Sequence, residues 1–101
     1  MLRRFQDLRV WQQSRVLCIR VYRCSATGPI ARDFGLRDQM RRAGVSVMAN
    51  LAEGFVRYTP REFKRFVSIA RSSLAELRSH LSLAEGLGYL PESEYAVLER
   101  S

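Results

Sequence analysis

Glu53 is the carboxylate with the most suggestive neighbours in this chain. Asn50 and Arg57 flank it on a helical segment, and Arg42 lies three turns back on the same face. A glutamate so placed is a general base in outline, with an arginine to hold an oxyanion or a phosphate. The rest of a catalytic kit is missing from the sequence pattern. No histidine, thiolate or second acid falls beside Glu53. His80, the only histidine, projects away from the apolar stripe of its own segment, beside Ser73 and Leu87. Arg42, Asn50, Glu53 and Arg57 therefore read as a structural polar cluster. In it Glu53 pairs with Arg57 or Arg42, and Asn50 is a hydrogen-bonded group that fixes helix register. The pattern assigns no catalytic residue, and no enzyme is expected.

Cys18 and Cys24 stand six residues apart on one expected helix and project about 120° from each other, so they cannot bridge. They read as two small buried thiols, consistent with a reducing compartment. Without a Cys or His cluster, the sequence implies neither a metal nor a cofactor.

The arginines carry the stronger signal. The formal charge is +7 and the sequence pI is about 10.4. Residues 1–24 hold six arginines against Asp7 alone, whereas 89–101 hold three glutamates against Arg100. Arginine grips phosphate with two parallel hydrogen bonds, so a polyanionic partner follows naturally. Arg9, Arg20 and Arg23 share the outer face of the first helix. Arg37 and Arg41 are one turn apart on the second. Lys64, Arg71 and Arg78 are spaced by seven on the third, in steps of roughly 10 Å. These eight are the candidate nucleic-acid contacts. No helix-turn-helix, zinc knuckle, RNP aromatic pair or Gly-rich phosphate loop is present, so backbone contact without sequence-specific readout is expected, to RNA or DNA. A protein-interaction scaffold serving an acidic partner is the other function these residues leave open.

What positions them is a set of helices. The longest uncharged run, Ala43 to Ala52, is half of what a membrane span needs, and a cytoplasmic protein is expected. Apolar periodicity predicts helices over 8–25, 34–56, 60–86 and 91–100 within one 1–101 domain. Asp7, Asp33 and Thr59 are the expected N-caps, with Pro60 and Glu62 completing a capping box at the third. Val10, Trp11, Ser14, Leu17, Cys18, Val21 and Tyr22 form the core stripe of the first helix. The second uses Leu36, Met40, Ala43, Val47, Leu51 and Gly54, and the third a near-heptad series from Phe63 to Ala84. Leu8, Val16 and Ile19 fall outside the first stripe, toward the arginines. They are the candidate surface for a homo-oligomer.

Several spaced elements also carry a family likeness. They are Phe5-x-Asp7-Leu8-x-Val10-Trp11, Gly35 to Ala43, Asn50-Leu51-Ala52-Glu53-Gly54, Thr59-Pro60-Arg61-Glu62-Phe63, Ser73-Leu74 and Leu87-Gly88-Tyr89. Over about residues 5 to 100 the chain resembles the S23-like proteins encoded in intervening sequences of bacterial 23S ribosomal RNA genes. The resemblance implies an all-α, antiparallel up-and-down four-helix bundle that self-associates, here with a fourth helix shorter than usual. More distantly the chain is similar to the accessory variability determinants of diversity-generating retroelements. That likeness implies a pentamer, a five-fold ring that binds nucleic acid together with a reverse transcriptase. Neither resemblance brings an established activity.

Overall fold

Proline, glycine and short polar side chains punctuate the chain, and the helices start and stop at them. In the computed structural model, which describes residues 2–100 and side chains as far as Leu98, the long helices are α1 (Arg9–Cys24), α3 (Phe34–Val56) and α4 (Pro60–Gly86). A single turn, α2 (Pro29–Arg32), precedes α3, and a short α5 (Glu92–Arg100) follows α4. The chain is an all-α antiparallel four-helix bundle with a short fourth helix. Residues 1 and 101, the ends of the expected 1–101 domain, lie outside the described residues.

Two of the expected caps form. The Asp33 carboxylate accepts from the Leu36 N–H at 3.2 Å, and the Thr59 hydroxyl accepts from the Glu62 N–H at 3.1 Å. The second half of the Thr59 box does not form; Glu62 accepts from Arg65 instead, at 3.5 Å. Asp7 is not the cap of α1. It closes a 3-10 turn, Phe5–Asp7, by accepting from the Arg3 and Arg4 N–H groups, and Leu8 stands at the N-cap of α1 without a capping side chain. The turn is held down by Phe5, whose ring meets Trp11 edge-on at 5.1 Å. At the far end of α4, Gly88 adopts φ +76°. The Gly88 and Tyr89 N–H groups bond to Glu85 and Ala84, the double closure that a left-handed residue makes possible.

The two longest helices are joined by three residues and run antiparallel. Near the turn Gly54 meets Phe63 and Phe66; farther along, Ser46 meets Ser73. Gly54 permits a close approach, since a Cβ there would sit 2.8 Å from Phe66 Cβ. One core cluster joins Leu17 and Val21 of α1, Ile30, Met40 of α3, Leu77 and Leu81 of α4 and Leu98 of α5. The five most completely buried of these contribute about 1.5–3 kcal/mol each by leaving water. A second cluster, Val47, Leu51 and Ala70 with Trp11 and Val67 against them, fills the half of the bundle nearer the α3–α4 turn.

Val10 and Tyr22, expected in the core stripe, are 46% and 43% exposed. Val10 lies on the first turn of α1, while the contribution of α5 to the core is Leu98, which clusters with Leu17 and Val21 farther along α1. The ring of Tyr22 lies under the Arg41 guanidinium at 4.6 Å, at the rim of the α1–α3 seam. The one-turn α2 is an addition to the expected elements. Gly28 at φ +76° and Pro29 at the first helical position turn the chain so that Ile30 is driven into the core.

Candidate nucleic-acid interface

Helical geometry fixes where each cation points, and the eight candidates differ in how far they reach into solvent. Arg9, Arg20 and Arg23 on α1 and Lys64, Arg71 and Arg78 on α4 are solvent-exposed, as the projection implies. Arg37 and Arg41 are engaged within the fold. Arg37 donates to the Ala31 carbonyl at 3.1 Å, pairs with Asp38 at 3.0 Å and covers the Phe34 ring at 4.8 Å. Arg41 donates to Ser25 Oγ at 2.9 Å and to the Tyr22 carbonyl at 3.2 Å. Carbonyls in the last turn of a helix lack intrahelical partners and attract cations, so the end of α1 claims Arg41 as a brace to α3.

The expected polar cluster does not come together. Glu53 pairs with Arg57 at 3.0 Å, but on the outside of α3, with about half of each side chain in solvent. Arg42 is exposed and makes no ion pair among the described residues. Asn50 faces a different set: its Nδ2 donates to the Ser46 carbonyl at 2.8 Å and to Ser46 Oγ at 3.0 Å. Ser46 Oγ in turn lies 2.8 Å from Ser73 Oγ on α4. Asn50, Ser46 and Ser73 thus form a hydrogen-bonded relay across the α3–α4 seam, the register-fixing part of the expectation with different members. Sequence pattern does not single out Ser73 as a partner, because serine carries no periodic signal.

The apolar residues outside the α1 stripe separate as well. Ile19 lines a shallow groove of about 460 Å³ between α1 and α3, with Tyr22, Val45 and Met48 as its apolar wall and Arg15 and Arg23 at its edge. Leu8 faces a larger groove of about 800 Å³ at the end of the bundle, formed with Leu2, Val56, Tyr58 and Phe63. Val16 is 47% exposed.

Burial holds both thiols protonated: it raises Cys18, and it pushes Cys24 up to about 11 with help from the Glu94 charge. His80 rests 3.4 Å from Glu76, one turn back on α4. Tyr89 donates to the Asp33 carboxylate at 3.0 Å, and that bond raises its pKa. Among the described residues no group of three His, Cys, Asp or Glu side chains is placed to hold a metal, and no helix is long and apolar enough to cross a membrane.

An arginine-rich antiparallel bundle, with cations outward on α1 and α4 and a serine–asparagine relay inside, is the class of protein these features define. The chain belongs to the 23S rRNA-intervening sequence protein family, whose model matches residues 6–101. Among curated proteins, none matches the chain.

Proposed function

We propose that this protein is a non-enzymatic, homo-oligomeric bundle that binds the phosphate backbone of RNA or DNA without reading sequence. The observation that carries the reading is the surplus of cations, seventeen against ten carboxylates, together with their outward placement on α1 and α4. Phosphates condense counterions, and each arginine that replaces one gains the entropy of its release. Self-association would multiply the rows, so that weak single contacts add through avidity. The half-exposed Val16 and the partly buried Ile19 of the α1–α3 groove support self-association, and a pentameric ring in the cytoplasm is the form we favour. The experiment is fluorescence anisotropy with unrelated RNA and DNA sequences over a salt series, with mass by light scattering in parallel.

A second reading is favoured by the α1–α3 groove. Its apolar wall with arginines at the edge suits an amphipathic acidic helix from another protein, which would make the bundle a scaffold or an accessory subunit, for example to a reverse transcriptase. Absence of nucleic-acid binding even at low salt would select this reading.

A further inference from the structure

The turn between α3 and α4 contains the least protected aromatic side chain in the molecule. Tyr58 is 94% exposed, and among the described residues it is the one non-glycine residue with positive φ, at +71°. A left-handed backbone disfavours any residue with a Cβ, and this position just past a helix end is where glycine usually stands. The tyrosine side chain therefore adds strain and no packing. A large exposed ring at such a place is available to a partner outside the fold.

Its surroundings indicate what. Tyr58 lies on the rim of the 800 Å³ groove, whose walls include Leu2, Val56, Pro60 and Phe63 and whose edge carries Arg3. Arg61 follows on the first turn of α4, exposed. Neither Arg3 nor Arg61 makes an ion pair among the described residues, whereas nearby Arg57 and Arg65 are paired with Glu53 and Glu62. A flat apolar surface with Arg3 at the groove edge and Arg61 three residues on along the chain is complementary to an unpaired nucleobase and its flanking phosphates. A base inside a duplex is stacked on its neighbours and has no free face to offer.

We propose that Tyr58 is a stacking platform for an unpaired base of a single-stranded nucleic acid, with Arg3 and Arg61 holding the adjoining phosphates. This site rests on the nucleic-acid reading above and adds to it a preference for single strands. The α1 and α4 arginine rows serve any strand, and the Tyr58 site distinguishes strands with accessible bases from those without.

The test compares three labelled probes of equal length: oligo-dT of 20 residues, an abasic oligomer with the same phosphates, and a 20-base-pair duplex. The protein is wild type, Tyr58→Gly, Tyr58→Phe and the double variant Arg3→Ala/Arg61→Ala. Wild type is expected to bind oligo-dT at least about fivefold more tightly than the abasic strand. Tyr58→Gly should abolish that difference while keeping the abasic and duplex affinities and melting no lower than wild type. Tyr58→Phe should retain the difference, because the ring stacks without its hydroxyl. The double variant should weaken binding to oligo-dT. Equal binding of oligo-dT and the abasic strand by wild type would overturn the stacking site and leave the backbone reading standing. No binding of any probe would overturn both. A fall in mass on Tyr58→Gly would instead make this patch a contact between copies of the chain, and would equally overturn the proposal.

Discussion

Replacing Gly54 by alanine places one methyl group in a tight contact between α3 and α4. The new Cβ would lie 2.8 Å from Phe66 Cβ, 3.3 Å from Phe63 Cδ1 and 3.5 Å from Phe63 Cα. Carbon atoms rest at about 3.5–4.0 Å, so Phe66 must retreat by roughly 0.7 Å. The clashing atom is next to the backbone, so no rotamer change relieves it, and Phe66 is only 9% exposed. Overpacking of this kind costs about 1–3 kcal/mol. The gain in helix propensity from glycine to alanine offsets at most about 1 kcal/mol. A clash this close places the packing cost near its upper limit, for a net destabilisation of about 2 kcal/mol, or roughly 10 °C in melting temperature for a chain of this size. Gly44 supplies the control. A Cβ there would meet Cys18 Sγ at 3.5 Å, an ordinary contact, so Gly44→Ala should raise the melting temperature by a few degrees through propensity alone. Thermal unfolding by circular dichroism, at one fixed protein concentration, reads both variants. Equal stabilisation by the two alanines would refute the close approach at Gly54.

Three further expectations follow from the polar contacts. Asn50→Ala breaks the relay through Ser46 to Ser73 and should lower stability by about 1–2 kcal/mol, whereas Glu53→Gln removes an exposed pair and should change it by less than about 0.5 kcal/mol; urea unfolding measures both. Arg41→Ala should cost about 1 kcal/mol, because it removes the two bonds that tie α3 to the end of α1 and leaves Ser25 and the Tyr22 carbonyl only their contacts within that end, while Arg9→Glu with Arg71→Glu should leave melting nearly unchanged and weaken nucleic-acid binding. The Tyr89 pKa is raised in the folded state by its bond to Asp33, so the linked stability is complete below about pH 10 and declines as pH rises through the folded value. Tyr89→Phe should therefore flatten the decline of melting temperature above about pH 10 relative to wild type.

The long helices are legible in the sequence because their signals are local. Asp33, Thr59-Pro60 and Gly88 mark ends by capping chemistry that depends on a few neighbouring residues, and α3 and α4 run between the expected bounds. Asp7 misleads because the same side chain can close a 3-10 turn or cap a helix, and the N–H groups of Arg3 and Arg4 decide between them. A four-residue helix such as α2 has no periodicity to detect. The candidate site is legible only in part. A helical projection identifies exposed faces, so Arg9 and Lys64 fall where expected. It does not reveal that the end of α1 captures Arg41, or that Ser73 approaches Ser46 from 27 residues away. Tyr58 escapes the sequence for the opposite reason: a backbone angle and an exposure single it out, and no pattern of types encodes either.

Phosphate contact by outward-facing arginines is the central claim, and the salt dependence of binding measures it most directly. Wild-type protein titrated into two unrelated mixed-sequence RNAs at several salt concentrations should give log K falling linearly with log salt, at the same slope for both. Arg9→Glu with Arg71→Glu should make that slope shallower by about one for each phosphate the variant no longer neutralises. Affinity that is absent at the lowest salt, or that holds one sequence tightly with no salt dependence, would contradict the account.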